Sequence, residues 1–250
     1  MEIARILCIG GSDSCGGAGV QADIKTVTML GGYAMTAITA LTAQHTRGVD
    51  EIWLPPACHV VAQINAVIGD IGVDAVKVGM IGTAEIAHAV ADALAAVNVP
   101  VVFDPVMIAT SGAILANDAT ITAFHRLMTI ATLVTPNLPE LAALGGEAQM
   151  RAEANTVLIK GGHGDGDIIV DRLICPDGSA MQWSDTRIET IHTHGTGCTL
   201  ASAIACGLGQ GLGMVDAIGR ARQFVRQALI NAPGFGAGHG PMGHQAVRDL

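Results

Sequence analysis

His194-Gly195-Thr196-Gly197-Cys198-Thr199, with Leu200-Ala201-Ser202-Ala203-Ile204-Ala205-Cys206 behind it, decides how the rest of the chain reads. Before it stand Arg187-Ile188-Glu189-Thr190-Ile191, residues that favour extended structure. The run behind it is small, apolar and compatible with helix. The glycines therefore sit where a strand-side segment gives way to a helix. The first turn of a helix carries backbone N–H groups without intrahelical partners, and the macrodipole puts partial positive charge there. Glycine lets that backbone approach an anion with no Cβ in the way. This predicts an anion hole at Gly195, Thr196 and Gly197 with Cys198 at its mouth. The same letters also describe a glycine turn before a buried helix, with Cys198 a small core residue. The remaining sequence has to separate the two.

Upstream, apolar runs and glycine-rich loops alternate in the same way. Ile6-Leu7-Cys8-Ile9 reads as a buried strand entering the loop Gly10-Gly11-Ser12-Asp13, and a helix over residues 20–30 follows. Residues 34–41 read as a second strand ending in the polar tip 42–46, and residues 49–54 as an edge segment stopped by Pro55-Pro56. Strands are expected at 75–80, 131–135 and 156–160, and a strand passing into a loop over 99–107. Helices are expected at 57–69, 83–97 and 118–128, and a hairpin turns at Pro176-Asp177-Gly178. Strand and helix alternate with no linker, repeat or low-complexity segment, which predicts one α/β domain over residues 1–250. Its sheet is central and mostly parallel, with right-handed crossovers. The polar and glycine residues collect after strands, at the face where such sheets bind ligands. No G-x-G-x-x-G or Walker A loop occurs.

Composition sets limits. Half of the 250 residues are hydrophobic, 14% are charged and 3% are aromatic, so the core is aliphatic, as suits a sheet covered by helices. A net charge of −9 with few aromatics argues against nucleic acid as a partner. The longest stretch free of charged residues and His, 195–215, is broken by glycines and predicts a buried helix rather than a membrane span. The opening Met1-Glu2-Ile3-Ala4-Arg5 runs into a strand-like segment with no apolar leader. Six scattered cysteines without a C-x-x-C pair predict reduced thiols in a cytoplasmic protein, with Cys8, Cys58, Cys175 and Cys206 as packing residues. His192 and His194 lack a further ligand cluster in the sequence. His194 is read as a loop residue and no zinc is assigned.

Several segments, in order over nearly the whole chain, resemble hydroxymethylpyrimidine/phosphomethylpyrimidine kinases. They are residues 10–13 with 16–26, Thr42-Ala43-Gln44, Lys77-Val78-Gly79-Met80, Asp104-Pro105-Val106-Met107, residues 135–140, Lys160-Gly161-Gly162-His163 and residues 194–199. The resemblance implies a three-layer ribokinase-like fold, a central mostly parallel sheet with helices on both faces. It implies ATP-dependent phosphorylation of the pyrimidine alcohol and then of its monophosphate, in thiamine biosynthesis. It implies that Gln44 bonds the pyrimidine edge, and that Asp23, Gly11, Ala18, Met80 and Val106 line the same pocket. Asn137 and Glu140 look like the superfamily's N-x-x-E element around Mg²⁺, Asp104 faces the same phosphate region, and Lys160 lies near the nucleotide phosphates. Thr196 serves both hole and nucleotide. Cys198 stands where the wider superfamily usually has an Asp base, and a helix N-terminus is expected to make it partly thiolate. ATP, Mg²⁺ and a small pyrimidine are the implied ligands, and a homodimer is expected.

Plainer roles remain for some residues. Glu140 fits a solvated acid opening a helix, and Lys160 fits an amine closing a strand in water. Two other functions share the pattern: pyridoxal kinase activity on the same scaffold, and a non-catalytic pyrimidine-binding regulatory protein. The chain departs from the family at Cys15, His45 and Thr110. Between Leu141 and Asn155 it is short, with a turn or two of helix in place of a full one. The expectation there is a thinner sheet face, or one covered by a partner subunit.

Overall fold

The computed structural model describes residues 3–164 and 166–248. Met1 and Glu2, the start of the opening segment read above, lie outside the described residues. Nine strands form one sheet in the order β3-β2-β1-β4-β5-β6-β7-β8-β9. They are β1 (Arg5–Asp13), β2 (Tyr33–His45), β3 (Gly48–Trp53), β4 (Ala75–Val78), β5 (Val101–Phe103), β6 (Leu133–Val134), β7 (Val157–Ile159), β8 (Ile168–Ile174) and β9 (Ala180–Thr186). Strands β2, β1, β4, β5, β6 and β7 run parallel. The edge strand β3 and the hairpin β8–β9 are antiparallel.

Alternation along the central strands builds the layers. Leu7 and Ile9, Val76 and Val78, Val101 and Phe103, and Val157 and Ile159 point to one face. There they meet α2 (Ala57–Asp70), α3 (Ala84–Leu94), α4 (Asp118–Ile130) and α6 (Gly146–Glu153). Ile6 and Cys8, Ala75, Val102 and Leu158 point to the other, against α1 (Gly19–Met29), α7 (Thr196–Gly209) and α8 (Met214–Ile230). With both faces covered, the strands are apolar throughout. The expected three-layer, mostly parallel architecture is the one observed.

The chain leaves β1 toward β2 and β3, then returns to the other side of β1 for β4. That reversal makes a crevice beyond the carboxyl ends of β1 and β4. α7 packs beneath β1, β4 and β5, so its first turn opens into the crevice.

Local differences from the sequence reading have physical causes. Residues 10–13 are strand rather than loop, because β1 continues through a register irregularity at Gly10/Gly11. The polar tip 42–45 is likewise strand, paired with β3. The range 99–107 is strand then loop as expected, with the strand confined to Val101–Phe103 between Pro100 and Pro105, which offer no N–H. Residues 187–191 form no strand: the chain must cross from outer β9 to the central α7, with no ladder to join. Cys58 is exposed and is not the packing residue expected, whereas Cys8 and Cys206 are buried in the core and Cys175, half-buried, packs against it. The short 141–155 crossover is closed by α5 (Leu138–Ala143) and α6, which seat Leu144 and Met150 in the core. No helix among the described residues is long and apolar enough to cross a membrane.

Candidate active site

α7 begins where the sequence places its glycines. Gly195 caps it at φ +85°, and a Cβ there would lie 1.9 Å from the Gly17 carbonyl oxygen. Only glycine permits both the left-handed backbone and that approach. Thr199 N–H closes onto Gly195 O at 2.9 Å, and Thr196 N–H reaches Thr193 O at 3.3 Å. Among the described residues the Gly197 and Cys198 amides have no protein acceptor. They border a cavity of about 1250 Å³ across the carboxyl ends of the strands. Cys198 is half-buried at this mouth rather than sealed in the core.

The thiol is not activated in the way the sequence suggested. Burial pushes Cys198 up to about 11, against the pull of Lys77, while Asp23 and Asp104 add to the rise. Few backbone donors reach the sulfur, the Gly19 amide being one, and the helix N-terminus does not outweigh its dehydration. The expected partial thiolate is therefore a neutral thiol.

The phosphate end is built from three strand termini. Asp104, just past β5, is fully buried; its Oδ1 accepts Thr135 Oγ1 at 3.0 Å and Lys160 Nζ at 2.6 Å. Lys160 follows β7 and also lies 3.7 Å from Glu140 Oε2. Asn137 and Glu140 form a reciprocal capping box on α5. Asn137 Oδ1 accepts the Glu140 amide, and Glu140 Oε2 accepts the Asn137 amide, each at 2.8 Å. Burial raises the Glu140 carboxyl, and Asp104 beside it adds to that, against Lys160. Lys160 stays charged despite burial because Asp104 and Glu140 hold it so. Two buried carboxylates thus share one ammonium. A Cβ on Gly197 would lie 3.2 Å from Asp104 Oδ2 and 3.4 Å from Lys160 Nζ, so this cluster adjoins the free amides.

At the other end of the cavity lie Gly11, Ala18, Gln44, Met80 and Val106. Asp23, expected beside them, does not line it. Asp23 is fully buried, bonded by Lys77 Nζ at 2.8 and 2.9 Å and by Ser202 Oγ. A carboxylate shut away from water takes the strongest internal donor, and Lys77 is the one charged residue in apolar β4. The remaining residues assigned from sequence all border the one cavity.

Sequence reading missed two groups. Lys77 is fully buried at the cavity floor beneath Cys198, and its signal was a charge inside an apolar strand. His194, taken as a plain loop residue, is buried with Nε2 2.8 Å from Asp13 Oδ2. Asp13, Cys15 and His194 bring their ligand atoms within 4.8 Å of one another, the cluster the sequence did not reveal. Asp13 is already filled by donors: the amides of Cys15, Gly17 and Ala18 and the Cys15 thiol. It serves as a hydrogen-bond hub. Burial opposes the charge on His194, yet the bond to Asp13 and the nearby Cys15 push it up to about 9. Burial likewise opposes the charge on Asp13, whose carboxyl is held below its usual range by His194 and the Ala18 amide.

Comparison with known proteins fits this geometry. Residues 13–243 match the family model described as phosphomethylpyrimidine kinase. A hydroxymethylpyrimidine/phosphomethylpyrimidine kinase of Streptomyces coelicolor is 45% identical over 254 residues, 96% of this chain and 93% of that one. An ADP complex of Bacillus subtilis pyridoxal kinase superposes with a TM-score of 0.89 at 31% identity, covering 98% of each chain. A phosphomethylpyrimidine kinase from Clostridium difficile superposes at 0.77 with 35% identity, covering 91% of this chain and 99% of that one.

Proposed function

This chain belongs to the phosphomethylpyrimidine kinase family, and from that premise we propose that it transfers phosphoryl groups from ATP. The acceptors are 4-amino-5-hydroxymethyl-2-methylpyrimidine and then its monophosphate, giving the diphosphate used in thiamine biosynthesis. The observation that carries the reading is the pair of unengaged amides at Gly197 and Cys198, set beside the Lys160–Asp104–Glu140 cluster.

Phosphoryl transfer asks for positioning and charge neutralisation more than covalent chemistry. The Gly197 and Cys198 amides hold the moving group as charge spreads over its oxygens, the Thr196 amide of the expected hole being already given to the Thr193 carbonyl. Lys160 neutralises the nucleotide phosphates. Gln44 bonds the pyrimidine edge, with Met80 and Val106 against the ring and Gly11 and Ala18 close to it. Cys198 lies next to the acceptor hydroxyl as a neutral thiol; to take that hydroxyl's proton it must first give up its own, and the nearby Lys77 ammonium favours the thiolate that does so. Glu140 and Asp104, with Asn137 behind Glu140, fit Mg²⁺: the donor set is all oxygen and leaves a net buried negative charge that a hard cation offsets. When bound, that ion supplies charge neutralisation at the phosphates. The protein acts as one domain over 1–250, in the cytoplasm and as a homodimer.

A second reading, phosphorylation of pyridoxal-type alcohols, is favoured by the likeness of 0.89 to a pyridoxal kinase. The test is purified protein with ATP and Mg²⁺, given each alcohol in turn, with products weighed by mass spectrometry. Mono- and diphosphate from the pyrimidine are expected. ATP consumption that ignores both alcohols overturns the proposal, and phosphorylation of the pyridine alone selects the second reading.

A further inference from the structure

A hydrogen-bond chain at the pyrimidine end fixes one side chain from both sides. Asp13 Oδ2 accepts the Gly17 and Ala18 amides at 3.0 and 2.8 Å and has His194 Nε2 at 2.8 Å. Asp13 is an acceptor, so His194 Nε2 carries a hydrogen and donates it. On the opposite flank, Thr42 Oγ1 has two acceptors for its one proton, the Ser12 carbonyl at 2.9 Å and Gln44 Oε1 at 3.1 Å. Given to the nearer, the Ser12 carbonyl, the proton leaves only lone pairs facing Gln44. The Gln44 carboxamide spans the two flanks, with Oε1 placed toward Thr42 and Nε2 placed 3.4 Å from His194 Nε2.

The two ends of a carboxamide have the same shape and are told apart by their partners. A Thr42 oxygen that has given its proton to Ser12 favours the nitrogen end, so the hydrogen bonds call for the carboxamide turned over from its placed orientation. The imidazole N–H, donated chiefly to Asp13, repels a second N–H at 3.4 Å and shares its hydrogen with an oxygen there. Each end keeps one further capacity, an N–H and a lone pair, for a ligand in the cavity.

We propose that the Asp13–His194 pair, with Thr42, is a specificity element that fixes which end of Gln44 donates and which accepts. The inference rests on the aminopyrimidine alcohol being the substrate. An aminopyrimidine presents an amino donor beside a ring-nitrogen acceptor, and the fixed carboxamide matches that edge with two bonds. Pyridoxal carries its ring hydroxyl between a methyl group and the formyl group that the hydroxyl bonds internally, and it has no amino donor beside its ring nitrogen. His194 and Asp13 touch neither reactant; they are positioning residues.

The experiment compares kcat/KM for the aminopyrimidine alcohol and for pyridoxal in wild type and variants. His194→Phe keeps a ring and removes the donor. It is expected to lower kcat/KM for the pyrimidine by about tenfold or more, the worth of a lost oriented hydrogen bond. The value for pyridoxal and the KM for ATP stay within about twofold. His194→Gln restores an N–H toward Asp13 and recovers most of the discrimination. Thr42→Val removes the other partner and lowers the same ratio, and it decides the matter if the Phe variant does not fold. Equal losses on both alcohols, or an unchanged ratio in Thr42→Val, overturn the proposal. A wild-type protein that phosphorylates no aminopyrimidine overturns the substrate reading instead.

Discussion

Cys198 concentrates the chemistry and corrects the simplest reading of it. The motif places a thiol at a helix N-terminus, where pKa values usually fall. Dehydration wins here and holds it near 11. Alkylation by iodoacetamide at this position should be slow at neutral pH and rise steeply through pH 10, followed by peptide mass spectrometry. Fast labelling at neutral pH would mean that Lys77 outweighs burial. Cys198→Ala should lower kcat roughly hundredfold, the lower end of what a positioned proton acceptor contributes, while pyrimidine binding by calorimetry persists. Undiminished turnover would remove the thiol from the mechanism. Asp13 gives a second prediction. His194 is raised from 6.5 to about 9, so its contribution to stability is complete below pH 6.5 and disappears as pH rises through 9. Asp13→Asn should cost about 3 kcal/mol in denaturant unfolding at pH 6, as breaking a buried pair does. It should also flatten the fall in stability between pH 6.5 and 9, and an unaltered slope would show that the pair is not linked to folding. The position of Cys198 was legible in sequence, but the Asp13–His194 pair was not, because residues 13 and 194 are joined only by the fold.

At the scale of elements, α5 shows why a correct motif can carry two meanings. Asn137-Leu138-Pro139-Glu140 reads equally as a capping box and as a metal element. The structure gives it the first role outright, through two 2.8 Å bonds. Each side chain commits part of its bonding to the helix, and what remains of Glu140 borders the cavity. Asn137→Ala should therefore cost about 1 kcal/mol of stability, the usual worth of a cap. It should also raise the Mg²⁺ concentration needed for half-maximal rate, because the Glu140 backbone N–H loses the Asn137 Oδ1 that anchors this turn, although the Asn137 backbone N–H on the Glu140 carboxylate remains. A stability loss with an unchanged Mg²⁺ dependence would leave Asn137 a cap alone. α7 was read well for the opposite reason. Gly195 has a local signature, φ +85° at the cap of α7, and local constraints are written in local sequence; its close approach to the Gly17 carbonyl is long-range and was not. Residues 187–191 were misread because their β propensity is real but the crossing to α7 leaves them no strand to pair with.

Across the whole molecule, the alternation of strand and helix was enough to give a parallel sheet with two helical layers, since apolar runs in such sheets have no other stable packing. Strand order was not written there; the reversal at β1 emerges only from pairing. The outer edges follow from the same order. β3 closes the sheet on one side, and Trp53 on it pairs directly with Leu41 of β2. Both are exposed, Trp53 at 54% and Leu41 at 44%, with Leu54 adjoining. A chain with only two tryptophans leaves one of them in water at a sheet edge, while its core is built of aliphatic residues. Exposed aromatic and aliphatic clusters of this kind mark association surfaces, where Trp contributes disproportionately. The face expected from sequence to need a partner, beside 141–155, is instead closed by α5 and α6, so the proposed homodimer is better served by the β3 edge. Sedimentation velocity at micromolar concentration should give a dimer for the wild type. Trp53→Glu should shift it to monomer with the rate per chain little changed, because Trp53 does not border the cavity. A wild-type monomer would remove the dimer altogether, and a dimer that tolerates Glu at position 53 would move the interface away from this edge.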